Sequence, residues 1–475
     1  MGTVGISFGS PTSGQGFDVQ STVNSIIANM SAIETPWQNQ LTSLQAQDTA
    51  LTTIGTDLSS LASALETLQS DLTQKTGQSS DESVLTLNST DSSAVAGNHT
   101  VVVNQLAQTA TYASSAIASG DTLQGTLTIN GQSITIDSSD DTLATLASTI
   151  NSNSSTYGVT ANVVPTSTGD VLSLVSNTSG AGGDVTIGGG LTDQSNSGSS
   201  ITFTQTQKGQ DAELTVDNVS GITSSSNTVT NAIAGVTMQL LEASAPGTSV
   251  QVVIANNNSQ IETDMSSFVK AYNTVMGDLD TQEGNDSSGN PEPLFGNPLI
   301  ATIQEQLQQA LNFTQSNGAI TSATQLGIGV NANQASASSS EGLIALDGGT
   351  LDSALTNNFQ AVLNFFQPGN GFTSFGDNLS SILSSLGNTP PDSGIGTDAT
   401  NAAGDIFLQL QQDASVEKSL NTNITNENTL LATEQTQLTT ELNQANFVLQ
   451  EIPQQLQAVN EMYSAITGFN ENPQG

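Results

Sequence analysis

Apolar positions follow a helical spacing at each end of the chain and a two-residue alternation through much of the middle. Near the C-terminus Leu431, Leu438, Ala445, Ile452, Val459 and Ile466 recur every seven residues, with Leu442, Leu449, Leu456 and Tyr463 four after members of that series. Gln435, the first interleaved position, is polar. Such spacing is the a/d seam of a helix that buries one narrow stripe against other helices. A matching seam near the N-terminus runs Leu44, Leu51, Leu58, Leu65 and Leu72, interleaved with Ile54, Leu61 and Leu68. Before it, Val19, Val23, Ile26, Met30 and Ile33 predict an amphipathic helix. Pro36 lacks a donor and clashes inside a helix, so a break or kink is expected near Thr35. Trp37, the single tryptophan, is expected to pack in a core. Residues 1–17 have no period and are expected to be unstructured in isolation.

After Gly77 the period becomes alternating, and residues 84–87 and 100–103 read as strands. Residues 126–137 carry the clearest local signal, alternating flanks around Asn130 and Gly131, both able to take the positive φ of a type I′ hairpin turn. Asp140 or Asp141 is expected to cap a short helix with the apolar face Leu143, Leu146 and Ile150. That explains the acidic pair more simply than a cation site. Residues 159–164 and 171–175 predict a second strand pair, residues 180–200 a Gly- and Ser-rich loop or linker, and residues 213–216, 236–241 and 249–254 further strands. Ser259 and Glu262 fit a capping box ahead of the stripe Ile261, Met265, Phe268, Tyr272, Met276 and Leu279. Helical stretches are expected near 298–313, 351–366 and 372–386, and again from about Thr400 after Pro390 and Pro391. Pro453 falls inside the best seam, which predicts either a kink or two helices meeting end to end. The order predicts an α+β multidomain protein: a discontinuous helical coiled-coil stalk or leg formed by both termini, with antiparallel β head domains inserted between them.

Composition narrows the function. The 475 residues hold 43 Asp and Glu against 4 Lys and no Arg, a formal net charge of −39. Lys75, Lys208, Lys270 and Lys418 are scattered, so neither nucleic acid nor an anionic membrane finds the clustered bases it needs. No apolar run approaches the roughly 20 residues of a membrane span, and the opening residues lack the basic and apolar regions of a cleaved secretory signal. Cysteine is absent and His99 is the only histidine, in a strand-like segment that suggests a plain surface role. Thiol catalysis, a disulfide framework and a zinc site are therefore not expected, and neither is any cofactor or enzymatic activity. At most 4 of the 43 carboxylates can pair with Lys, so the chain repels itself at neutral pH and sheds that repulsion in acid. Such a surface suits an acidic exterior.

Several stretches together resemble the flagellar filament-capping family, hook-associated protein 2. They are Gly16 to Val19, Glu34 to Pro36, Val101 to Ala107, Thr142 to Asn151, Val159 to Val164 and Gly169 to Leu174. Most specific are Gly209 to Ala212, Ser226 to Thr237 and Phe268 to Asn273, with Pro293 to Gly296 and Leu326 to Gly329 as shorter matches. The resemblance implies four parts: a terminal coiled coil (1–42, 425–475), a helical leg (43–78, 256–424), a β head domain (79–112, 202–255) and an inserted one (113–201). It implies a homo-oligomeric ring at the distal filament tip, outside the cell, that promotes flagellin insertion and prevents flagellin loss. Implied partners are flagellin, the flagellar export apparatus and the hook–filament junction proteins, with export through the flagellar channel and no membrane insertion. The charge balance is more acidic than the family leads one to expect.

The expected gripping surface for sister subunits or flagellin is Ile26, Met30 and Ile33 with Leu449, Ile452, Leu456 and Val459. Narrow seams bury too little to order a helix alone, so these helices are expected to fold on meeting partner helices. One rival is a helical bundle within the chain that serves stability only. Another is a surface adhesin with a β head on a helical stalk. A glycan-cleaving enzyme with paired carboxylates is a third, but helix caps and solvated surface account for every acid pair equally well.

Overall fold

The computed structural model describes residues 16–137, 141–196, 198–316, 318–330, 342–367, 372–387 and 404–467. The expectations for residues 1–15, Asp140, Pro390 and Pro391 lie outside them. The chain divides into two compact units, Gln69–Ile261 and the flanking Met1–Leu68 with Glu262–Gly475. It is α+β, with antiparallel sheets between a long N-terminal and a long C-terminal helix.

Helices α1 (Val19–Met30) and α2 (Thr35–Asp71) come first, joined by the 3-10 turn Ser31–Glu34. Strands β1 (Lys75–Ser79), β2 (Leu85–Thr90), β3 (Gly97–Gln105), β4 (Thr109–Ser114), β5 (Leu123–Ile129) and β6 (Gln132–Ile136) lead to α3 (Leu143–Ser152) and α4 (Ser154–Tyr157). Then come β7 (Val159–Thr166), β8 (Gly169–Ser179), β9 (Ile187–Gly189), β10 (Thr192–Asp193), β11 (Ser199–Ser200) and β12 (Phe203–Gln207). Strands β13 (Ala212–Val216), β14 (Val219–Ser224), β15 (Thr228–Thr230), β16 (Val236–Leu240) and β17 (Val250–Asn256) close the middle. Helices α5 (Asn258–Gln282) and α6 (Pro298–Leu311), the hairpin β18 (Ile328–Val330) and β19 (Ile344–Leu346), and helices α7 (Gly348–Asn357), α8 (Phe359–Phe366), α9 (Phe375–Leu386) and α10 (Asp405–Thr467) complete it.

The β unit holds two cores. In one, the sheet β1-β17-β3-β13-β14 and the sheet β15-β16-β2 bury Val101, Val103, Leu214, Val252, Met238 and Leu240. Alternate residues of β13, β16 and β17 are buried, the period-2 consequence of successive Cβ atoms pointing to opposite faces. In the other, the sheets β11-β10-β5-β6 and β12-β4-β8-β7 close over Leu127, Ile129, Leu172 and Leu174, with Leu146 and Ile150 of α3 packed in.

Local chemistry sets the connections. Asn130 (φ 51°) and Gly131 (φ 80°) make the type I′ turn, with Ile129 opposite Gln132. Asp217 (φ 48°) and Asn218 (φ 66°) make a second such turn, between β13 and β14. The cap of α3 is Thr142 rather than Asp141. Its hydroxyl accepts from Thr145 N (3.2 Å) while Thr145 Oγ1 accepts from Thr142 N (3.1 Å), a box that satisfies both donors. The Gly-rich stretch at 180–200 is not a plain linker, because it supplies β9, β10 and β11. A Cβ on Gly189 (φ 105°) would run into the Thr126 carbonyl of β5, so glycine permits the close pairing that the composition concealed.

In the helical unit, Leu51, Ile54, Leu58, Leu61, Leu65 and Leu68 are the buried face of α2. The stripe from Ile261 to Leu279 is buried on α5. Phe268 of α5, Phe365 and Phe366 of α8 and Phe375 of α9 form an aromatic cluster, with Phe365 and Phe375 stacked at 4.9 Å and Phe268–Phe375, Phe365–Phe366 and Phe366–Phe375 edge to face. Pro36 lies in the first turn of α2, just after the 3-10 turn that separates it from α1. There its missing N–H has no intrahelical partner to lose. Helix α5 begins at Asn258, so Ser259 lies inside its first turn instead of capping it, and the stretch near 351–366 is two helices meeting at Asn358. Pro453 sits inside a single helix, α10, and no second helix begins there.

Candidate functional site

Helix α10 carries the seam over its whole length. Continuing the alternating steps of four and three upstream from Leu431 adds Ile406, Leu410, Asp413, Glu417, Leu420, Ile424 and Glu427. Ile406, Leu410, Asp413, Leu420 and Leu431 are buried, and Leu438, Leu442, Leu449 and Ile452 are half-buried. The cover then ends: Leu456, Val459, Tyr463 and Ile466 are 46%, 59%, 64% and 77% exposed.

Helix α1 packs on α10. Phe17 N donates to Asn446 Oδ1 (2.8 Å), and a Cβ on Gly16 would collide with the same carboxamide. Asp18 caps α1 by accepting from Ser21 N (3.0 Å), which fixes where the helix starts, and Val19 and Val23 are its buried residues. The 3-10 turn also packs on α10 and buries Glu34, whose Oε2 accepts from Gln38 Nε2 (3.2 Å).

Each expected gripping residue has a definite place. Ile26 is half-buried on α1, Met30 is exposed at its end, and Ile33 is exposed in the 3-10 turn. Leu449 and Ile452 are half-buried where the cover of α10 thins, and Leu456 and Val459 lie beyond it. The structure brings α1 and α10 together within one chain, with Val19 and Val23 the buried residues of α1. It leaves the segment from Leu456 to Ile466 uncovered. Two further apolar residues, Phe447 and Val448, are 61% and 56% exposed off the seam. The heptad series passes over them, and their signal was an adjacent apolar pair at positions where the repeat asks for polar residues.

Little else offers chemistry. His99 Nδ1 lies 2.8 Å from Asp217 Oδ2, at the second I′ turn. The Thr100 N–H, and then His99, hold the Asp217 carboxyl below the usual range. The pair ties that turn to β3. Among the described residues, no group of three or more His, Asp or Glu could hold a metal ion, and no helix is long and apolar enough to cross a membrane.

Sandwiched β cores in the middle of the chain and paired chain ends that leave one apolar helix face open define an assembly protein of α+β construction. Residues 209–467 match the sequence model of the flagellar hook-associated protein 2 C-terminus, residues 15–110 that of its N-terminus, and residues 126–178 the flagellin hook IN motif. The chain belongs to the flagellar hook-associated protein 2 family. It is 27% identical over 386 residues to the B-type flagellar hook-associated protein 2 of Pseudomonas aeruginosa, covering 74% of this chain and 78% of that one. It is 28% identical over 407 residues to flagellar hook-associated protein 2 of Escherichia coli K12, covering 79% and 84%. The crystal structure of the D1-D2-D3 domains of the E. coli flagellar cap protein FliD superposes with a TM-score of 0.56 at 25% identity, covering 71% of this chain and 96% of that one.

Proposed function

We propose that this chain caps the distal tip of a bacterial flagellar filament and that its paired terminal helices are the part that grips. The cap role rests on family membership, which spans both chain ends and the β unit, and the relatives are structural proteins of the flagellum. In this reading the protein acts outside the cell as a homo-oligomeric ring that promotes flagellin insertion and prevents flagellin loss. It reaches the tip through the flagellar export channel and meets the export apparatus and the hook–filament junction proteins on the way. The four-part division into terminal coil, leg and two head domains is its working anatomy.

The grip rests on one observation, the apolar seam of α10 left open from Leu456 to Ile466 while its upstream part is covered. An exposed apolar stripe at a/d spacing is complementary to another amphipathic helix and gains free energy when one covers it. Leu449 and Ile452 stand at the edge of that opening and Leu456 and Val459 within it, and the reading adds Ile26, Met30 and Ile33 from the α1 side of the pairing. Each incoming flagellin or sister helix would order against them, release and be replaced, by coupled folding and binding.

Replacing Leu449 and Leu456 by Asp places two charges on the seam. The expected result is short filaments with flagellin lost to the medium, while the purified variant keeps the β-unit unfolding transition of the parent. Filaments of normal length in that strain would refute the grip.

A further inference from the structure

The helical unit contains carboxyl groups where a coiled seam asks for apolar side chains. Asp413 and Glu417 occupy successive seam positions of α10, between Leu410 and Leu420. Asp413 is 5% exposed; its Oδ1 accepts from Gln409 Nε2 (3.0 Å), and its Oδ2 has no hydrogen-bond partner. Facing them from α2 is Asp48, whose carboxyl has those of Asp413 and Glu417 as its charged neighbours. Asp48 Oδ1 and Glu417 Oε1 are likewise buried and partnerless. A second contact repeats the theme. Asp57, next to Leu58 in the α2 seam, has the Asp278 carboxyl of α5 as its charged neighbour among the described residues, and its Oδ2 is buried without a hydrogen-bond donor. No cation relieves either cluster: Lys270 and Lys418, on α5 and α10, are exposed and form no ion pair.

Two carboxylates are both acceptors, so a hydrogen bond between them exists only when one carries a proton. We propose that α2 is fastened to α10 and α5 by proton-sharing carboxyl pairs, Asp48 with Asp413 and Glu417 and Asp57 with Asp278, so that the helical unit tightens as pH falls. Protonated, each pair supplies a hydrogen bond and no net repulsion. Ionised, it places two or three negative charges at a partly buried helix contact.

The direction in pH follows from where the protons bind. Burial, then Asp413, pushes the Asp48 carboxyl up from 3.8 to about 6, and burial, then the Asp278 carboxyl, pushes Asp57 up to about 7. The folded state therefore holds more protons than the unfolded one between these values and 3.8. This contribution to stability is complete below about pH 3.8 and is lost as pH rises through about 6 and about 7. It gives the acid preference suggested by the charge balance a location in the fold.

Hydrogen exchange of the full chain, read by mass spectrometry at pH 5 and pH 8 and corrected for intrinsic rates, tests this. Peptides from residues 44–71 and 405–431 should be at least about threefold better protected at pH 5. In the double variant Asp48→Asn and Asp57→Asn the amides donate to Asp413 and Asp278 at every pH, so protection at pH 8 should rise and the pH response should shrink by about half or more. Asp278→Asn with Asp413→Asn should behave alike from the opposite helices. Equal or weaker protection of the parent at pH 5, or an undiminished response in a folded Asn variant, would overturn the proposal. Should a variant show no protection at either pH, the response of the parent decides.

Discussion

Tyr272 is fully buried on α5, and its hydroxyl has no hydrogen-bond partner among the described residues. Burial pushes its ionisation well above the ordinary tyrosine range. The ring fills a core position between Phe268 and Met276 in the α5 stripe, and the oxygen adds a desolvation cost without a compensating bond. Replacing both members of a buried polar pair is often neutral, and here one member is already missing. Tyr272→Phe is therefore expected to leave the thermal midpoint unchanged or to raise it. A fall of several degrees would show that the hydroxyl is bonded in solution. At this scale the sequence indicated the burial, through the stripe Ile261, Met265, Phe268, Tyr272, Met276 and Leu279, and gave no hint of the orphaned oxygen. Which polar atom finds a partner depends on side chains from distant helices.

At the scale of elements, α10 decides most. It is 63 residues long, about 95 Å at 1.5 Å per residue, and α1 is only 12 residues long, about 18 Å. A cover that short cannot reach both ends of a seam that runs from Ile406 to Ile466. Pro453 lies where the cover gives out, and it removes one intrahelical donor, leaving the Leu449 carbonyl without its usual partner. Pro453→Ala should restore that bond and firm the distal segment. Slower amide exchange is expected across residues 449–467, together with a small gain in helical circular dichroism. Unchanged exchange there would mean that the proline costs the helix nothing. The seam was legible from Leu431 onward because its apolar members are nearly uninterrupted. Upstream, Asp413, Glu417 and Glu427 broke the apolar series, so its continuation emerged only from the burial of its neighbours.

For the whole molecule, the large upward shifts, at Asp48 and Asp57, fall in the helical unit, while the β unit carries mainly lowered carboxyls beside Asp121, which burial and then Asp193 raise. In the β unit Asp81, Asp91 and Asp217 are held below 3.8, the first two by the hydroxyl and N–H of Ser83 and Ser93, the third by the Thr100 N–H and then His99. Their contribution is present above about pH 3.8 and is lost as pH falls through their lowered values. In the helical unit Asp48 and Asp57 act the other way, over a window that lies higher in pH. Asp286 and Asp347 of that unit, lowered by local N–H and hydroxyl donors, join the β unit in losing stability at the acid extreme. Between pH 8 and pH 5 the helical unit should gain stability while the β unit stays level, and both should weaken well below pH 4. Unit-by-unit hydrogen exchange across that range checks it, and a β unit that weakens between pH 8 and pH 5 would contradict the assignment. The net charge of −39 adds a uniform repulsion that acid removes, so it cannot by itself separate the units.

Residue spacing alone determined the helical ends, the alternating middle, the Asn130–Gly131 turn and the break at Pro36, because each is a local property of side-chain direction or backbone φ. The family signature was legible for the same reason, since motifs such as Gly209 to Ala212 and Ser226 to Thr237 are runs of consecutive residues. Local rules failed where a partner from elsewhere decides. Thr142 displaced Asp141 as a cap because a reciprocal box satisfies one more donor. The glycines near Gly189 became strands because β5 approaches too closely for a Cβ. How far α1 covers α10, and which carboxyls face each other across α2, only the tertiary structure could decide. Burial and the sharing of a proton are properties of two surfaces in contact, and a single strand of sequence holds one surface at a time.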